Sequence, residues 1–447
     1  MEPLSPAAGE ERQLADIDAG PSRGPEHEAG SATGGQTRPG TLNGPRNPAG
    51  DGEAAPEALR EPHRLLTDRR LRVWGIGLAV ALWLPVLGAA ALHFWDFAAF
   101  YSAGALIGHF DLSRLAPVVE YQVQHGWLPT PFVNPPAYAL LYAPLAHLPY
   151  LLAGYLALAI MAALLLLAVE YGRRPFGVTR RVAFFAALAW PPAAAGVVSG
   201  QTSAVALCLV VAVIAGLSRS SARSSIMAGL AVAALAYKPQ LAAPLLVLLL
   251  VRLDWRALLA SLAGFGALYL ASVAATGGNW AWPVDWLASV QAYAGPDFTA
   301  NGWQAVSLAG IATRLGIPAL AYVAGGLLTI WLLPELRSWR APEAVALACA
   351  LGLVISPHAW VYDATLLLPA LALLASCRRE IAAAYLLAAI WPAGVLLGWQ
   401  PLALVVALAP VVLVRVVERP GRREPGADAL WRPIRAHGQG VGANLPG

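Results

Sequence analysis

The chain has 447 residues, of which 58% are hydrophobic and 13% charged, a balance that excludes a string of water-soluble domains and points to the bilayer. Its formal charge of +4 comes from arginines in small clusters between apolar blocks, which excludes a continuous nucleic-acid face and instead orients helices in a membrane. Cys208, Cys349 and Cys377 show no CxxC or paired spacing, so neither a disulfide framework nor a thiolate metal site is indicated.

Residues 1–60 have few large apolar side chains and no helical period, and are predicted to form a disordered cytoplasmic tail. They lack the apolar region of a signal peptide, which leaves targeting to the first membrane helix. That helix, about Val73 to Trp95, follows Arg64, Arg69, Arg70 and Arg72 and so leaves the cytoplasm. The next span, from about Tyr150 to Val169, returns to Arg173, Arg174, Arg180 and Arg181, and a hairpin near 182–198 and 203–217 ends at Arg219 and Arg223. Segment 226–251 is divided by Lys238-Pro239-Gln240 into two pieces of about a dozen residues each, short for a crossing, and reads as a tight helical pair or a re-entrant hairpin. Further spans are expected near 257–275, 318–333, 343–356, 364–376, 381–397 and 401–417, with Arg252, Arg256, Arg337, Arg340, Arg378, Arg379 and Arg415 at cytoplasmic joints. Residues 419–447 repeat the polar character of the first tail. The expected fold is therefore an all-α polytopic membrane protein of about twelve segments over 61–418, with both termini cytoplasmic.

Two long loops are expected on the outer, periplasmic side. Asp96 to about Pro149 contains FVNPPAYALLYAPLAHLP, apolar but interrupted by prolines, which suits a helix lying at the interface. Thr276 to about Ile317 carries Trp280, Trp282, Trp286 and Trp303, which fit an interfacial belt.

Few side chains here can carry chemistry. Asp96, directly after the first span, is either a general base towards a hydroxyl group or a cap on the helix that follows. Lys238 is the chain's single lysine and stands in a strongly apolar neighbourhood; it is either a phosphate partner or a cation snorkelling at a helix break. In SPHAWVYDA, His358 and Asp363 are candidates for holding a phosphate or sugar with Trp360 or Tyr362 as a stacking face, or the segment is an ordinary interfacial turn. Gln201 in SGQTS has the same two readings, ligand contact or polar turn. Asp111 is a second acidic candidate, able with Asp96 to hold a metal weakly, although nothing in the sequence requires one. No Walker loop, HExxH pair or GxSxG elbow appears in its required context, which argues against nucleotide hydrolysis, zinc proteolysis and serine hydrolysis.

The order DFAAFYSAG, FVNPP, SGQTS, AYKPQLA and SPHAWVYDATLLLPAL resembles glycosyltransferase family 87, the polyprenol-phosphate-mannose-dependent mannosyltransferases of bacterial membranes, with the GT-C fold. The likeness spans about Asp96 to Pro369. It implies an inverting hexosyl transfer on the periplasmic face of the inner membrane, from a polyprenyl-phosphate-linked donor to a lipid or glycan acceptor. Neither a nucleotide-sugar at the reaction site nor a cofactor is implied. Asp96 matches the acidic position that acts as base, and Lys238 and His358 fall in motifs near the donor. Asn134 stands where relatives commonly have tyrosine, and NGWQAVS replaces a shorter run, both where an acceptor would bind. The rival readings are a secondary transporter, which shares the broken helix and buried cation but should show an internal repeat not found here, and an inactive lipid-binding membrane protein.

Overall fold

The computed structural model describes residues 95–378, 381–383 and 400–417. The predicted tails 1–60 and 419–447, the first span as far as position 94, and the span near 381–397 beyond position 383 lie outside the described residues. Every regular element among the described residues is helical, and the single β contact is an isolated bridge between Ala305 and Trp360.

The region expected as a first outer loop folds on itself. Helix α1, Trp95–Leu106, buries Phe97, Phe100 and Tyr101 in a small aromatic core with Phe132 and Tyr142. The rings of Phe100 and Tyr142 stack at 4.7 Å, and the Tyr101 hydroxyl donates to the Leu148 carbonyl at 2.8 Å. Helix α2, Ala116–Gln124, packs on α1. The proline-rich stretch is one 3-10 helix, Pro136–Leu141, and a single turn, Ala143–Ala146, rather than one interfacial helix. Its prolines remove the amides that a continuous helix needs, and its buried side is fixed by Ala137 N–H to Ser272 Oγ at 3.1 Å and Tyr138 O–H to Ala234 O at 2.7 Å.

Helix α3, Tyr150–Gly172, ends where Glu170 binds Arg173 and Arg174 at 2.7 and 3.0 Å. Helices α4, Arg180–Leu188, and α5, Pro191–Val198, meet at a bend of 64° because Pro191 and Pro192 restart the helix. Trp190 at that bend is fully buried and donates to Ala364 O at 2.9 Å. Helix α6, Ser203–Leu217, is followed by α7, Ala222–Ala234, and, after the predicted break, α8, Pro239–Val251. Helix α9, Trp255–Ala275, crosses α7 at Gly229, where a Cβ would overlap the Ala257 backbone. Small residues permit that approach, as is usual between membrane helices.

The second expected loop, Thr276 to Ile317, is also structured. It holds the 20-residue helix α10, Trp282–Asn301, and the short α11, Leu308–Arg314. Helix α12, Pro318–Ser338, then leads to α13, Ala341–Ile355, which is buried along its length at the centre of the main core. Helix α14, Leu368–Cys377, and α15, Gln400–Val417, pack against α13.

Among the described residues, three helices are long and apolar enough to cross a membrane, spanning Tyr150–Phe176, Trp255–Ala275 and Pro318–Ser338, or four if the bent α4–α5 pair counts as one. On α9 and α12, Leu259, Leu262, Leu270, Leu320, Val323, Leu327 and Ile330 are exposed. Apolar surface so continuous needs lipid against it. The sequence count of about twelve includes apolar helices of 10–17 residues, all of which at ~1.5 Å per residue fall short of the ~30 Å hydrocarbon core.

Candidate active site

The SGQTS turn between α5 and α6 seats the start of α1. The Ser199 carbonyl accepts from the amides of both Asp96 and Phe97, at 3.1 and 3.2 Å. Gly200 has φ +75°, and a Cβ there would come within 2.6 Å of Phe97 Cβ. Glycine is thus required both by backbone conformation and by space. This contact sets Gln201, itself 8% exposed, against Asp96. Asp96 lies inside the first turn of α1, with its amide held by the Ser199 carbonyl. Half-buried and closely packed, its carboxyl has a pKa raised by desolvation, an effect opposed by hydrogen bonding from Gln201 and then by the charge of Lys238.

Lys238 occupies the break that the sequence predicts. It follows a 3-10 turn, Leu235–Tyr237, adopts φ −126° and ψ 88°, and precedes Pro239 at the first position of α8. Its ammonium lies 2.6 Å from Asp363 Oδ1 and 4.5 Å from the centre of the Tyr362 ring. The second oxygen of Asp363 accepts the Trp360 amide at 3.0 Å. Gln240 Nε2 donates to the His358 carbonyl at 3.2 Å, so the KPQ and SPHAWVYD segments are tied at two points. Lysine and aspartate are both buried, and such a pair persists only because each charge compensates the other.

His358 faces Asp297 of α10, Nδ1 to Oδ2, at 3.6 Å and packs edge-on against Trp360. Burial lowers the His358 pKa, and the Lys238 charge lowers it further, against the pull of Asp297 and Asp363. Asp297 is itself held on α10 by Tyr293 O–H at 3.1 Å and Asn301 Nδ2 at 2.8 Å.

The fold therefore brings Asp96, Gln201, Lys238, His358 and Asp363 into one cluster, and Asp96 senses the charges of both Lys238 and Asp297. Asp111 stands elsewhere: its carboxylate accepts from Ser113 and from Asn279 Nδ2 at 3.1 Å. Asp297 and Tyr293 are site residues outside the sequence motifs, and Gln240 stands within AYKPQLA but is not among the candidates the sequence offers. The spacing Tyr293, Asp297, Asn301 is a readable signal, since residues four apart share a helix face. Among the described residues no three His, Cys, Asp or Glu side chains gather as a metal-binding group.

Helices with lipid-facing apolar surfaces surrounding a cluster of buried ionisable side chains define a helical membrane protein with a polar functional centre. The family model described as Glycosyltransferase family 87 matches residues 132–357, just over half of the 447-residue chain. The chain belongs to that family and is a membrane glycosyltransferase. The match includes Gln201, Lys238 and Asp297, stops one residue before His358, and leaves Asp96 and Asp363 outside. Comparison with curated proteins and with solved structures gives no match.

Proposed function

We propose that the chain moves a hexose, specifically mannose, from a polyprenyl-phosphate-linked donor to a lipid or glycan acceptor at the periplasmic face of a bacterial inner membrane. The observation that carries this reading is that the SGQTS turn, whose Ser199 carbonyl holds the Asp96 amide, also accepts the Tyr237 hydroxyl at Thr202 O at 3.2 Å, which gathers a proton acceptor and the Lys238 cation into one cluster. In a single displacement the acceptor oxygen bonds to the anomeric carbon while its proton passes to the Asp96 carboxylate. The bond from that carbon to the phosphate oxygen breaks, and its electron pair leaves with polyprenyl phosphate. Lys238, aligned by Asp363, stabilises the charge gathering there, and His358 lines the same region. The anomeric configuration inverts.

The direction of the helices supports the periplasmic assignment. Helices α3, α6 and α8 begin beside the cluster or its aromatic support and end at Arg173, Arg219 and Arg252, whereas α13 begins after Arg340 and returns to Ser356. Arginine-rich ends face the cytoplasm, which favours the opposite side for Asp96. The same rule supports a GT-C-like bundle of about twelve segments with both termini cytoplasmic, the short helices acting as broken or protein-buried crossings.

The test is transfer by the purified full-length chain in liposomes, with radiolabelled polyprenyl-phosphate mannose and membrane lipid extract as acceptor. Release of polyprenyl phosphate together with labelled product of inverted configuration is expected. A donor left intact under these conditions, with the protein folded, refutes the reading.

A further inference from the structure

A cavity of about 770 Å³ opens between the 114–131 segment and α10, within the size range of small-molecule sites. Its α10 wall is a single helical face, formed by Asp285, Ala288, Ser289, Ala292, Tyr293 and Pro296. These positions recur at three- and four-residue intervals, so they lie one above another. The space exists because the middle of that face carries only alanine and serine. Opposite it, Pro129 and Pro131 supply a second small, rigid wall.

The two ends of the cavity differ. At the outer end stand Arg114, whose side chain is 72% exposed, and Asp285, which accepts from Asn279 Nδ2 at 2.8 Å. At the other end Tyr293 lines the cavity while its hydroxyl donates to Asp297, the partner of His358. Tyr293 also lies near enough to Asp96 that, after burial and Asp297, that carboxylate helps raise its pKa. The cavity thus runs from a charged mouth to the edge of the Asp96 cluster.

Building on the glycosyl-transfer reading, we infer that this cavity is the acceptor site and that the acceptor presents a hexose to it. Arg114, which also lies 4.0 Å from Asp111, and Asp285 both line the cavity and together serve hydroxyl groups in both senses, Arg114 donating and Asp285 accepting. The alanine and proline walls suit the C–H faces of a sugar ring. A bare lipid chain in the same space would desolvate Asp285 and Arg114 without replacing their hydrogen bonds, and lipid-facing surface is already present on α9 and α12.

The experiment measures transfer by the full-length chain from radiolabelled polyprenyl-phosphate mannose to octyl α-mannopyranoside, with farnesol as a lipid alcohol lacking a sugar. Ala292→Trp, which fills the cavity from an exposed backbone position, should raise the KM for octyl mannoside at least tenfold while the donor KM stays within twofold. Arg114→Ala and Asp285→Asn should each raise it severalfold. Gln291→Trp, exposed on α10 but outside the cavity lining, is the control and should change neither constant. An octyl mannoside KM within twofold of wild type for Ala292→Trp overturns the inference, as does an equal rise for Gln291→Trp. Transfer to farnesol in preference to octyl mannoside overturns the hexose assignment. Failure of the wild-type chain to cleave any donor instead refutes the transfer reaction itself.

Discussion

Asparagine at position 96 keeps nearly the volume of aspartate and an oxygen able to accept from Gln201, but it cannot take a proton at neutral pH. The start of α1 does not depend on the carboxylate, because the Ser199 carbonyl already receives the Asp96 and Phe97 amides. Asp96→Asn should therefore fold. Positioned general bases contribute about 10²–10⁴ in rate, so transfer should fall at least about a hundredfold, equivalent to ~2.7 kcal/mol of barrier, with the donor KM little changed. The raised pKa of Asp96 makes the pH dependence informative. A base must be ionised, so wild-type kcat should fall as pH drops, beginning above the ordinary aspartate value of about 3.9, and the variant should lose that acid limb. The stability sign is opposite to that of a salt-bridged carboxylate. With the folded pKa above the unfolded one, the contribution of Asp96 is fully present below the unfolded pKa and lost as pH rises through the folded pKa. Asp96→Asn should consequently be no less stable than wild type at pH 7. Initial rates from pH 4.5 to 8.5, alongside thermal unfolding in detergent, give both readouts. Near-wild-type transfer, or an unchanged acid limb in the variant, refutes Asp96 as the base.

Lys238→Met leaves Asp363 buried without its cation and should cost about 3–5 kcal/mol, seen as a lower midpoint in denaturant; adding Asp363→Asn should recover part of the loss. Gly200→Ala forces a Cβ onto Phe97 from a left-handed backbone and should cost about 1–3 kcal/mol, with reduced transfer as Gln201 shifts; wild-type behaviour in both assays would show that the contact does not position the site. For orientation, a cysteine at exposed His109 should react with a membrane-impermeant thiol reagent in intact cells, whereas one at exposed Arg223 should react only after lysis. The reverse pattern would place Asp96 in the cytoplasm.

Much of this arrangement is written in local sequence. The ends of α3, α6, α9 and α12 follow apolar runs bounded by arginine, proline or short polar, glycine-containing turns, and the interruption at Lys238-Pro239-Gln240 appears where proline cannot continue a helix. Motif order also picks out Asp96, Gln201, Lys238, His358 and Asp363, which the fold gathers. What escapes is the pairing. Nothing adjacent to Lys238 reveals that its counter-charge is Asp363, and Asp297 reads as one acid among interfacial tryptophans. Helix α10 is hidden because Pro283, Gly295 and Pro296 interrupt the apolar period that identifies other helices. The short helices also blur the span count, since burial in protein removes the length requirement that lipid imposes.

The Lys238–Asp363 bond closes over 125 residues, and this interval is also a waiting time. At about 5–20 residues per second, the ribosome needs roughly 6–25 s after making Lys238 before Asp363 exists. Throughout that interval the nascent chain holds a cation in an apolar neighbourhood with its final partner unmade, at a cost of about 2.5–3.5 kcal/mol if it reaches the bilayer centre. The α7–α8 pair is thus poorly suited to settle on its own, and its insertion should depend on water, lipid headgroups or the insertion machinery until the SPHAWVYD segment arrives. Chains ending before Asp363 would then be substrates for membrane quality control, while the full-length protein escapes it.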